Sequence, residues 1–369
     1  MGCRRAFRRG PVARGARIAA MTKMRLKSPV LRSLPVAAGM FLACADAAGL
    51  SPGVNDDVRF DGYSPLATTT QLLFREMSPL AEHRALALYA DRKQPVSPYT
   101  LDIGAERFAV YVPKAPSPQG YGLLVFVPPW PQASIPRRWR QAFEETGTVF
   151  VTAANSGNDQ LMLPRRIALA IHGYANVSAR LKIDPERVYI GGMSGGARVA
   201  LRIALGYADI FRGAILDAGS DAIGTDLAML PAPPLLQAAQ EHLRLVYLYG
   251  TEDVANEERA RYSMQSAVEW CLPEPAKIAM VDRGHVPADA TTMQRALRLQ
   301  EPAHVPLANL DECRKKHEGE RAAAVARVDA LIAAGKRAEA LDALRDLDAR
   351  YAHFAGEDIQ RLAEVLQFR

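Results

Sequence analysis

Three residues of this chain could do chemistry together: Ser194, Asp253 and His285. The serine stands in "VYIGGMSGGARVA" (Val188–Ala200), a G-x-S-x-G stretch with Gly192 and Gly196 two residues to either side. A serine hydroxyl is a weak nucleophile near neutral pH. It attacks an acyl carbon when a base takes its proton and a third group orients that base. A serine between glycines, where an apolar run turns into a helix, fits a strained strand-to-helix turn that pushes Oγ out above a sheet. The glycines are needed because a Cβ there would clash. A bare G-x-S-x-G in a chain with 26 glycines also fits an ordinary turn, so the reading depends on its surroundings.

Those surroundings agree. "RVYIGG" reads as a short buried strand, and "ARVALRIAL" as a helix with Val199, Ile203 and Ala204 at helical spacing, stopping at Gly206. Upstream, "RRIALAIHGYANVSARLK" reads as an amphipathic helix and "IDPE" as a turn. Further on, the strand "LVYLYG" runs into Thr251-Glu252-Asp253, and the strand "KIAMVDRG" is followed at once by His285. Serine, acid and histidine thus each fall just beyond a strand, on one edge of a parallel sheet. The other elements are "GLLVFVPPW", "TVFVTAAN" and "FRGAILDAGS" as strands, with helices at "RRWRQAFEETG", Asn256–Trp270 and "ATTMQRALRLQ". "YTLDIGAERFAVYVPK" alternates around Gly104 and predicts a β-hairpin. Strands alternating with helices indicate an α/β fold with a doubly wound, mostly parallel sheet.

The segments "IDPERVYIGGMSGGARVAL", "YLYGTED" and "GHVP" together resemble the α/β-hydrolase superfamily. They are most similar to secreted serine esterases of the polyhydroxybutyrate-depolymerase-like kind, and the resemblance covers about Tyr99 to Gln300. It implies Ser194 as nucleophile, Asp253 as orienting acid and His285 as general base. Asp217, one strand earlier, is an alternative acid, since some members carry it there; Glu252 would point elsewhere on its turn. One oxyanion donor would be the backbone N–H of Gly195. The second usually comes from the loop after "GLLVFV", which here reads Pro128-Pro129-Trp130-Pro131. Proline has no N–H, so Trp130 is the only donor that tetrapeptide offers. The connection from Ser220 to Glu241 is too short for an elaborate cap, and the open site it implies suits large or polymeric substrates.

The resemblance implies an exported serine hydrolase cleaving carboxylic esters, without a metal or organic cofactor. A serine peptidase on the same fold and a non-catalytic envelope scaffold are the alternatives. The net charge of +6 does not argue for a nucleic-acid partner. Residues 1–45 hold ten basic side chains and no acid, and the rest of the chain carries 36 basic against 40 acidic residues. Residues 1–48 read as a signal segment behind an over-extended basic start, with an apolar run from Leu34 to Ala45. Association with a membrane would require lipidation of Cys44. Cys271 and Cys313 remain in an exported chain, either as a disulfide or as two separately buried thiols. Residues 49–98 read as an N-terminal extension, 99–300 as the hydrolase-like domain and 301–369 as a helical C-terminal extension. The last contains "AGKRAEAL", a single weak likeness to half a tetratricopeptide unit. The sequence leaves the oligomeric state open.

Overall fold

The computed structural model describes residues 49–93, 101–301 and 306–368. The predicted signal segment, Cys3 and Cys44 lie outside them. Eight strands form one sheet: β1 (Gly53–Val58), β2 (Phe108–Val112), β3 (Tyr121–Val127), β4 (Thr148–Ala153), β5 (Ile183–Met193), β6 (Gly213–Asp217), β7 (Arg244–Gly250) and β8 (Ala276–Met280). Their order is β1-β2-β4-β3-β5-β6-β7-β8. β2 is antiparallel to both β1 and β4, and every other pairing is parallel.

The apolar strands are apolar because both faces are covered. Along β3, Leu123, Val125 and Val127 join one core with α4 (Leu163–Arg180) and α5 (Gly195–Gly206). Leu124 and Phe126 face the opposite core, against α3 (Arg140–Thr146) and α8 (Ala290–Leu299). The period of two in strand side chains thus sorts one hydrophobic run into two cores.

Two expectations change. Among the described residues of the predicted 99–114 hairpin, one strand forms rather than two. Asp102 caps Gly104 N–H and closes a single turn over Ile103–Ala105, with Leu101 and Ile103 buried. The strand among the described residues of that stretch is Phe108–Val112, and its antiparallel partners are β1 and β4. β1, from the segment read as an N-terminal extension, stands at one edge of the sheet. "IDPE" is extended rather than a turn: Ile183 pairs with Tyr121, and the register shifts before Val188 meets Leu123.

The two outer regions also meet each other. α1 (Thr69–Glu76) and α2 (Pro79–Asp91) come from the first; α9 (Leu310–Ala333), α10 (Arg337–Tyr351) and α11 (Gly356–Val365) come from the second. Asp348 of α10 accepts from Ser78 Oγ at 2.7 Å and from Leu80 N–H at 3.1 Å at the start of α2. α6 (Pro233–His242) and α7 (Val254–Glu269) complete the helices. Cys313 on α9 is disulfide-bonded to Cys271, just beyond α7. His317 lies close enough to both sulfurs to suggest a metal site, but sulfurs joined to each other are not thiolate ligands. No helix among the described residues is long and apolar enough to cross a membrane.

Candidate active site

The parallel strands end along one edge. Val127 is level with Gly192, Met193 with Asp217, and Gly250 with Met280. Ser194 follows at φ 54, ψ −124, a positive φ that costs a non-glycine residue roughly 1–3 kcal/mol. The surroundings hold it there. Its N–H donates to Asp217 O at 2.8 Å, and its carbonyl accepts from Ala197 and Arg198 N–H at the start of α5. A Cβ on Gly192 would lie 2.4 Å from the Gly196 carbonyl carbon, and one on Gly196 would lie 2.0 Å from Val127 O. Both glycines are there because backbone passes through the space a side chain would fill.

His285 Nε2 is 3.0 Å from Ser194 Oγ, and its Nδ1 is 2.6 Å from Asp253 Oδ2. A carboxylate only accepts, so Nδ1 carries the proton and the Nε2 lone pair faces the serine hydroxyl. Asp253 is the residue before α7, and its N–H donates to Gly250 O at 3.0 Å. Gly250 lets the two loops meet, since a Cβ there would lie 2.1 Å from Arg283 O. The histidine loop is pinned further along. Trp139 Nε1 donates to Ala288 O, and Ala288 N–H donates to Asp217 Oδ2, both at 2.8 Å.

That last bond fixes the place of Asp217. It is fully buried, and loss of solvent raises its carboxyl to about 7. It props the loop that carries His285, while Asp253 is the acid on the imidazole. One residue of this cluster escaped the sequence reading. Asn256 Nδ2 lies 2.9 and 2.8 Å from the two oxygens of Asp253 and 3.1 Å from His285 Nδ1. Its spacing, three residues beyond the acid on the first turn of a helix, was visible in the chain. Nothing there said that the acid would be the cap.

On the other side of Ser194 the loop after β3 is held by its carbonyls. Pro128 O accepts from Arg166, Pro129 O from Asn158 N–H and Pro131 O from Asn155 N–H. Among the described residues no acceptor faces the Trp130 N–H. Its indole Nε1 is also buried without a partner. Gly195 is the first residue of α5, and the first N–H groups of a helix have no partner within it.

No family model and no curated protein matches the chain. Among solved structures it is similar to a puromycin-hydrolyzing peptidase of Mycobacterium tuberculosis, at 20% identity over 53% of this chain and 36% of that one, with a TM-score of 0.40. The S-formylglutathione hydrolase of Staphylococcus aureus is 12% identical over 53% of this chain and 90% of its own, with a TM-score of 0.41. A thermophilic esterase of Thermogutta terrifontis is 17% identical over 54% and 86%, with a TM-score of 0.39. The chain thus spans little more than a third of the length of that peptidase. A mostly parallel sheet in this order, with a strained serine turn after β5 and acid and histidine loops after β7 and β8, gives the chain the α/β-hydrolase fold.

Proposed function

We propose that the protein is a serine hydrolase that cleaves carboxylic esters through an acyl-enzyme. The observation that carries the reading is the unbroken line Asp253–His285–Ser194 at 2.6 and 3.0 Å. His285 Nε2 takes the hydroxyl proton as Oγ bonds to the ester carbonyl carbon. The carbonyl oxygen becomes an anion facing the N–H groups of Gly195 and Trp130. The intermediate collapses, the ester C–O bond breaks, and the imidazolium gives its proton to the departing alcohol. Water then repeats the sequence on the acyl-enzyme and frees the acid and Ser194.

The rim supports an apolar substrate. Val254 and Val286, next to the acid and the histidine, are 69% and 41% exposed. Leu161 and Met162, in the loop that carries Asn158, are 94% and 59% exposed. Apolar side chains left in water around a site suit an apolar partner. With the short 220–241 connection they favour bulky or polymeric esters. Export is part of the same proposal. The basic, then apolar N-terminus supports it, as does the Cys271–Cys313 bond, which an oxidising compartment would preserve.

A fluorophosphonate probe should label the wild type and leave Ser194→Ala unlabelled. Hydrolysis of p-nitrophenyl butyrate should vanish in the same variant. Equal labelling of the two proteins would overturn the proposal. Faster turnover of a peptide anilide than of the ester would move the activity to amide bonds.

A further inference from the structure

The loop that supplies Trp130 is three-quarters proline, so it is poor in the groups that hold an anion. A second loop lies against the elbow from the other side, and its nearest side chain is Asn158. A Cβ built on Gly195 would sit 2.3 Å from Asn158 Oδ1 and 3.1 Å from Nδ2. Asn158 therefore occupies the space that a side chain next to the nucleophile would take. Glycine at 195 is what admits it.

The orientation of the amide follows from its neighbour. Arg166 is buried, and its Nη2 is 3.1 Å from Pro128 O and 3.4 Å from Asn158 Oδ1, while its Nε donates to Ser156 O at 2.8 Å. A guanidinium only donates, so the Asn158 oxygen must be the atom turned toward it. The amide NH2 is then the free end. The Asn158 backbone N–H is already spent on Pro129 O at 2.9 Å, which ties the residue to the proline loop. Among the described residues no acceptor faces Nδ2. One buried arginine thus holds both the Pro128 carbonyl and the Asn158 amide oxygen, and it leaves the amide NH2 unspent in the side chain packed on Gly195.

We propose that Asn158 Nδ2 is a catalytic hydrogen-bond donor that completes the oxyanion hole, in the corner where prolines have removed backbone donors. This rests on the ester-hydrolase reading of Ser194. The donor binds the carbonyl oxygen weakly in the ester and strongly once that oxygen is charged, so its effect falls on kcat. Arg166 is a positioning residue that acts through it.

The test is steady-state hydrolysis of p-nitrophenyl butyrate by wild type, Ser194→Ala, Asn158→Ala and Asn158→Asp, with thermal melts of each. Asn158→Ala should lower kcat by roughly 10²-fold, the usual loss for one oxyanion donor, with KM within a few-fold and an unchanged melt. Asn158→Asp, nearly the same shape but with an acceptor in place of the donor, should fall at least as far. A trifluoromethyl ketone, which forms the charged adduct on Ser194, should bind Asn158→Ala less tightly by a similar factor. Wild-type kcat in Asn158→Ala would overturn the inference while leaving the ester-hydrolase reading intact. So would a loss confined to KM, or a restored kcat in Asn158→Asp. Wild-type activity that survives Ser194→Ala would instead overturn the reading on which the inference stands.

Discussion

The two sides of Ser194 are built on opposite plans. On the acid–base side the groups that meet the imidazole are engaged: Asp253 receives His285 and Asn256, and the histidine loop hangs from Asp217 Oδ2 and Trp139. On the oxyanion side the carbonyls are engaged and the donors are not. Pro128, Pro129 and Pro131 accept bonds, while the Gly195 and Trp130 N–H groups and Asn158 Nδ2 face no acceptor among the described residues. In the proposed mechanism the difference follows the timing of charge. A base must be oriented before reaction starts, so its bonds exist at rest. The oxyanion exists only partway through, so its donors must be left unspent until then.

The comparison breaks most visibly at Asp253. Asp253→Asn should keep the fold and lower kcat by about 10⁴, because an amide favours the wrong imidazole tautomer. Asp217→Asn is its control. An amide oxygen can still accept the Ala288 N–H, so turnover should stay within a few-fold of wild type, measured under the same conditions. The reverse ranking would place the working acid on β6. Asn256 comes next. Its amide donates to both oxygens of Asp253, and a hydrogen bond to a charged group contributes about 1.5–3 kcal/mol. Asn256→Ala should therefore cost at least about tenfold in kcat, with KM little changed. Asn256→Gln would report whether reach matters as well as the donor.

These two sides were unequally legible in the sequence. The acid–base side could be read because each of its groups sits one step beyond an apolar strand, and strands announce themselves by their composition. The elbow could be read because close backbone approach at Gly192 and Gly196 tolerates only glycine. Asn158 and Asn256 could not. Each acts through a contact made by folding, Asn158 across 37 residues to Gly195, and an asparagine in a loop or a first helical turn is ordinary. The same limit explains the hairpin. Alternation in residues 99–114 was real, but Asp102 closed a turn locally, and one partner of β2 came from a segment read as extension. Pairing across fifty residues leaves no local trace.

The smallest effect concerns stability, and it sharpens the comparison from beneath. α4 carries Arg166, which holds the Pro128 and Asn158 oxygens, and six residues further on it carries His172. His172 Nδ1 accepts the Ser64 N–H at 3.0 Å, which requires an unprotonated nitrogen. Burial lowers its pKa from 6.5 to about 4. A histidine whose folded pKa is depressed stabilises the fold above its unfolded value, and that contribution is lost as pH falls from 6.5 through about 4. Asp217 and Glu76 work in the opposite sense. Burial raises each to about 7, so their contributions grow as pH falls from about 7 toward 4. The wild-type curve mixes these slopes, and a difference curve separates them. Urea midpoints of wild type and His172→Gln, measured from pH 7 to pH 4, should converge as the pH drops, because glutamine has no proton to gain. A constant difference across that range would mean that His172 is not held neutral. The anchoring of α4, and with it the resting geometry of the unspent donors, would then owe nothing to that bond.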